Sequence, residues 1–438
     1  MKLTRQVLIL GLTLSIFSCK KNSSDPDPIS TDPFQLPYNK ESVENNKAFI
    51  ETEGRNFIQK INSLPDQKGI DVLEVLADLN APEVNFEQRQ MLNIGRKSQK
   101  AGAVLKAMSK ISKPSARKKS PNELYGIFTY DRINDNWIES ESTDRLSFIF
   151  PSTKGGTNND ANLTLTYKSS GIEMKPEDDE DSYELPSEIS GTLKVGAETV
   201  LTLLSTHTYY SDGLPKTTDT KVVLGEYSFT NIFKKEDAAT ESVVTISKAD
   251  SKLIEWTTSA KNKSFDFEQL NNAEEINDIL SSASSIITIG NIKVVTWADI
   301  DQFVVNDKEV EYPDWNTYFE NVNWDNAQQV DNAYQQYYAA EDAAEKEDAE
   351  NEKELYQKYS KAVVIKTTTN EVICSIDYIV KEEEGYCWTP GTTEICSTDT
   401  YVDPLLVFGD GSKIDFNTFG DTGFEDLKTD YENFVDRF

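Results

Sequence analysis

Histidine is almost missing from this chain: His207 is the only one in 438 residues. A His-rich metal centre and the H-E-x-x-H zinc-hydrolase pattern are therefore excluded, and a Ser-His-Asp triad would have to be built on that one residue. No G-x-S-x-G elbow, Walker loop or G-x-G-x-x-G turn occurs; Ser115 to Lys118 fit S-x-x-K, but in a basic, proline-flanked linker. Bases are scarce as well, with 44 Lys and Arg against 75 Asp and Glu and a formal charge of −31. That balance opposes nucleic acid and anionic lipid, and favours cationic partners or divalent ions. Long apolar runs are also lacking. The longest, Val7 to Phe17, has about eleven residues where a bilayer core needs roughly twenty.

What is present changes period along the chain. Residues 40–112 carry apolar positions at helical spacing, as in Ile50, Phe57, Ile58, Ile61 and Leu64, so a helical segment is predicted, with a proline-broken basic linker at 113–121. From 122 to 265 the period becomes two: Leu163, Leu165 and Tyr167 alternate with threonines, and seven or eight such runs predict an antiparallel meander. Residues 266–361 return to helix with intervening strands: one helix over 267–282, and a long one whose middle, between Glu341 and Glu354, offers only alanine as an apolar residue and is expected to face water. Residues 362–438 read as β-hairpins, one turned at Asp410-Gly411, and a terminal helix. The fold class is α+β: N-terminal helices, a large antiparallel meander, a long helix, and disulfide-clipped C-terminal hairpins.

The amino terminus has the three parts of an export signal: Lys2 and Arg5, the apolar run, then Ser18 before Cys19. "IFSC" resembles a bacterial lipobox, which implies cleavage after residue 18 and lipidation of Cys19; several acyl chains give a stable anchor where one does not. Residues 19–39, rich in Pro, Asp and Ser, read as a flexible tether. Lys20 stands where familiar inner-membrane retention signals have aspartate, which by resemblance points to the outer membrane. Surface-exported Bacteroidota lipoproteins place acids directly after the cysteine; here Lys20 and Lys21 come first, which leaves periplasmic face or cell surface open, with the cell surface preferred. "LYGIFTYDRINDNW", "ELPSEISGTLKV" and "LLVFGDGSKIDFNTFG" resemble stretches of uncharacterised lipoproteins of the Bacteroidota. The resemblance implies an envelope location and a β-rich body, and carries over no functional residue.

Three cysteines remain beside Cys19. "CWTPGTTEIC" closes a short loop over Pro390-Gly391, so Cys387 pairs with Cys396, while Cys374 is read as a buried thiol on a strand face. No catalytic residue, metal ligand set or cofactor is assigned. "PEDDED" (176–181) and "FGDGSKID" (408–415) could offer oxygens to Ca²⁺, but neither has EF-hand spacing. The aromatic run Tyr312, Trp315, Tyr318, Phe319 and Trp324 admits two readings, an exposed contact surface or rings packed inward. The expected role is non-enzymatic: a binding or scaffold module anchored in the membrane through Cys19, with another envelope protein as partner. Glycan binding or hydrolysis by a carboxylate pair, and lipid handling on a curved sheet, are the alternatives.

Overall fold

The computed structural model describes residues 32–79, 125–174, 183–263, 269 and 273–437. Cys19, the tether up to residue 31, the helical pattern beyond residue 79, the linker and "PEDDED" lie outside the described residues. Sixteen strands form one sheet: β1 (Gly126–Asp131), β2 (Asn136–Ser140), β3 (Leu146–Phe150), β4 (Ala161–Met174), β5 (Tyr183–Val195), β6 (Glu198–Tyr209), β7 (Pro215–Leu224) and β8 (Tyr227–Lys235). It continues through β9 (Ala239–Lys248), β10 (Ser251–Asn262), β11 (Leu280–Ile289), β12 (Ile292–Asp299), β13 (Ser360–Lys366), β14 (Glu371–Trp388), β15 (Ile395–Phe408) and β16 (Lys413–Asp415). The helices with described bounds are α1 (Val43–Ile61), α2 (Lys68–Asp78), α3 (Ile300–Val305), α4 (Trp315–Phe319), α5 (Ala327–Tyr359), α6 (Phe416–Asp421) and α7 (Glu425–Val435), after a short 3-10 turn at Pro33–Gln35.

From β3 to β16 each strand pairs antiparallel with the next in sequence; only β1 departs, lying parallel to β3 with β2 on its outer side. The α+β class holds. The meander, however, has more strands than the seven or eight expected before residue 265, and the sheet runs on without a break through β11 to β16. The helix expected over 267–282 is corrected in its second half: Gln269 is helical, but Ile276–Asp278 form a 3-10 turn and β11 begins at Leu280. Ser281 to Ser285 lack the bulk that would mark a strand, yet Ser282 to Ser285 pair with β10 residue by residue, Ser281 sits at a register shift, and Leu280 and Ala283 are buried against Ile300 of α3.

Alternation of strand direction gives the sheet two unlike ends. At one end six hairpins turn tightly (β5–β6, β7–β8, β9–β10, β11–β12, β13–β14, β15–β16), each through a single residue with positive φ: Gly196, Gly225, Ala249, Gly290, Asn370 and Gly411. The N-terminal helices run along this end, touching one turn after another. Lys366 Nζ donates to Glu41 at 2.8 Å, Asn291 N to Glu53 at 2.9 Å, Lys248 Nζ to Ser63 at 2.8 Å and Glu226 N to Gln67 at 3.2 Å. Lys68 then pairs with Glu198, and Asp78 with Lys154. One helical pair thus bridges the sheet from β13 to the β3–β4 connection, tying together strands that otherwise contact only their neighbours.

The apolar stripes of those helices supply the core. Ile58, Ile61 and Leu64 pack with Tyr227, Phe229, Leu253 and Phe434 of α7. Val72, Val75 and Leu76 of α2 close a second cluster over Phe128, Phe148, Phe150 and Leu193, all essentially solvent-free, each such side chain contributing about 1.5–3 kcal/mol. A third cluster joins Val43, Phe49 and Ile50 at the start of α1 to Ile373, Leu406, Phe408 and Phe419 of α6. Cys374 is buried within it, and burial pushes its thiol up to about 12, so it stays protonated and inert at neutral pH.

Candidate functional site

The opposite end of the sheet carries the long excursions: residues 300–359 between β12 and β13, and the cysteine loop between β14 and β15. β14 and β15 reach well beyond their neighbours, because β16 pairs only with Leu405 to Val407. The outer edge of β15 would therefore be open, and α5, about 50 Å long, lies along it. Ala344 and Ala349 are buried at that contact, so the expectation that the middle of α5 faces water is corrected. Alanine is what permits the approach: with no larger side chain between them, helix and strand come close enough for carboxylates to reach backbone. Asp342 accepts from Thr398 N at 3.1 Å and Glu345 from Thr400 N at 3.4 Å, covering edge N–H groups that another strand could otherwise pair with.

At the tip the first turns of α5 meet the cysteine loop. Cys387 and Cys396 face each other across β14 and β15 and are disulfide-bonded, as their spacing implied. Beside them the fully buried carboxylate of Asp331 accepts from Thr392 N at 3.0 and 3.2 Å, Thr392 Oγ1 at 2.9 Å and Thr393 N at 3.0 Å. Burial opposes its charge, but these donors outweigh burial and hold its pKa below the usual carboxylate range. Gly391 is required by the same close approach, since a Cβ there would lie 2.4 Å from the Ala327 carbonyl oxygen. Reducing the disulfide is expected to cost about 2.5–3 kcal/mol by loop closure, confined to the tip; hydrogen exchange of residues 386–398 with and without reductant checks it, unchanged protection being the contrary result.

Nine aromatic rings form one continuous network around this lock. Trp315 stacks on Phe319 at 3.8 Å between centroids and Phe319 on Trp324 at 5.9 Å, both nearly parallel. Tyr334 and Tyr337 of α5 meet this stack edge-on, and Tyr338 connects it to Trp388, on which Tyr386 lies nearly parallel at 5.5 Å. Phe319 is the buried centre, whereas the end rings are open: Trp324 is 57% and Tyr386 73% exposed. Both readings of the aromatic run thus hold at different residues. Trp315, Tyr318 and Trp324 belong to the network, while Tyr312 sits about three helical turns away, its hydroxyl donating to Asp348 at 3.3 Å. The sequence reading did not place Tyr386 and Trp388 in the site. Their signal was a pair of aromatic residues flanking Cys387, opposite a Tyr334, Tyr337, Tyr338 cluster at i, i+3, i+4 spacing.

The remaining candidates resolve into structural roles. His207 is buried on β6, with Ser205 Oγ 2.9 Å from Nε2 and Thr218 Oγ1 3.2 Å from Nδ1. Its ring is held by hydroxyls on both nitrogens, an arrangement that fixes the imidazole without a carboxylate to orient it as a base. Asp410 accepts from Ser412 N and Oγ in the β15–β16 turn, and Asp415 caps α6 and pairs with Lys381. Glu384 lies close to both tip sulfurs, but these are bonded to each other and offer no thiolate to a metal. Among the described residues no helix is long and apolar enough to cross a membrane. Comparison with protein-family models, with curated proteins and with solved structures finds no match.

Proposed function

We propose that this protein is a non-enzymatic outer-membrane lipoprotein, anchored through Cys19, that binds an envelope protein with the aromatic tip of its β14–β15 arm. One observation carries the reading: exposed Trp324 and Tyr386 terminate ring stacks on a tip braced by a disulfide, a buried carboxylate and a helix. Open rings on a rigid support lose little side-chain entropy on contact, and Trp and Tyr dominate the energetics of such interfaces. The helical belt lies at the other end of the sheet, so the tip is free of the packing that holds the body together.

The test has two parts. Cys19→Ala is expected to move the protein from the outer-membrane to the soluble fraction; retention equal to the parent would show that lipidation is not the anchor. A photo-crosslinking residue in place of Trp324 is expected to capture one envelope protein in intact cells, whereas one in place of Asp250, at the tight-turn end, captures none. A glycan reading is favoured by the same exposed rings, since flat aromatic faces stack on sugars; reproducible cleavage of an envelope glycan, lost on changing one carboxylate, would replace the proposal.

A further inference from the structure

We infer that the surface recognised by the tip is a cationic polypeptide, one that lays arginine side chains on the open faces of Trp324 and Tyr386. This rests on the tip being the contact surface and adds the chemistry of its partner. The two segments that build the tip contain no lysine or arginine: residues 309–345 hold nine acids and residues 382–403 six. Some of that charge is consumed internally by Asp331, Asp342 and Glu345, which bind backbone N–H groups, and by Glu382, which pairs with Lys346. Glu320, Asp325, Glu384 and Glu394 are exposed and enter no ion pair among the described residues. Part of the acid surface elsewhere is matched, as with Asp426 and Asp430 on Arg55, Asp66 on Arg437 and Asp377 on Lys413.

The geometry of the rings agrees with that charge. Trp324 has one face against Phe319 and Tyr386 has one against Trp388, so each offers its outer face to an incoming group. A π-face carries negative potential, and a guanidinium stacked on it within reach of a carboxylate satisfies both groups at once. An anionic partner would be repelled by this surface. A neutral glycan could use the rings but would gain nothing from the four carboxylates.

The test uses the full lipidated protein in detergent, titrated with a ten-residue arginine peptide and followed by tryptophan fluorescence, with lysine and glutamate peptides alongside. Binding is expected for arginine, several-fold weaker binding for lysine, and about tenfold loss between 50 and 300 mM salt. W324A/Y386A and, separately, E320Q/D325N/E384Q/E394Q are each expected to weaken it about tenfold. The control E139Q/E141Q/D250N/E432Q removes the same charge from exposed sites away from the tip and should change affinity less than twofold. Equal loss in control and tip-charge variants means diffuse attraction to an acidic protein and overturns the inference, as does arginine binding indifferent to W324A/Y386A. Crosslinking at the tip in cells without arginine-peptide binding defeats the cationic partner and leaves the proposed function standing. Arginine-peptide binding at the tip without a crosslinked partner supports the surface chemistry and counts against the envelope function.

Discussion

Asp331→Ala should loosen the tip while leaving the sixteen-stranded sheet folded. The variant removes the acceptor of Thr392 N, Thr393 N and Thr392 Oγ1 and leaves two backbone donors beside a cavity, a loss of the kind that is costly because the groups stay buried. The melting midpoint of the tip is expected to fall by about 5–10 °C, and that of the body by far less. Tryptophan reports it well, since Trp315, Trp324 and Trp388, three of the chain's six, lie in the ring network. Their emission should shift to the red in an early transition that the parent lacks. Asp331→Asn keeps one carbonyl acceptor and should fall between the two. The carboxylate also gives the tip an acid limit. With its folded pKa below the unfolded one, its contribution is complete above the unfolded value near 4 and disappears as pH falls through the folded value. A single cooperative transition in Asp331→Ala at the parent's midpoint would mean that the disulfide alone holds the loop.

The same region shows how far the sequence could be read. Its parts were legible separately: a long helix from Val330, Tyr334, Tyr337 and Tyr338, a disulfide from the ten-residue span Cys387 to Cys396, and an aromatic run from Tyr312 to Trp324. Their convergence was not, because it depends on where two strands end in three dimensions. β14 and β15 overshoot their neighbours, which opens an edge and makes a helix of alanines and carboxylates its natural cover. Read alone, that helix looked solvated; opposite an edge strand, the same acids are backbone acceptors. The belt was hidden for a related reason. Glu41, Glu53, Ser63, Gln67 and Lys68 look like an ordinary polar helix surface until the antiparallel order brings five successive hairpin turns to one end of the sheet. Periodicity names the buried face of a helix but not which polar residue meets which turn.

His207 offers the second large effect, and one that can be read at a single atom. Its imidazole is buried on β6 between Ser205 and Thr218, and desolvation lowers its pKa to about 4 from an ordinary value near 6.5. A base depressed in the folded state is protonated first in the unfolded chain. Stability contributed by the neutral ring is therefore complete above about pH 6.5, declines as pH falls from there toward 4, and levels off below, a loss of about 3 kcal/mol. Because the chain has no other histidine, its ring protons in a tag-free sample are the only imidazole signals, and their midpoint should lie near 4. His207→Gln keeps a hydrogen-bonding side chain between the two hydroxyls but cannot titrate. Its denaturation free energy should fall less steeply than the parent's between pH 6.5 and 4, the acidic carboxylates contributing equally to both. A midpoint near 6.5 would instead put the ring in contact with solvent, and the hydroxyl pair around it would have to be read as an accessible polar site rather than as part of the packed interior.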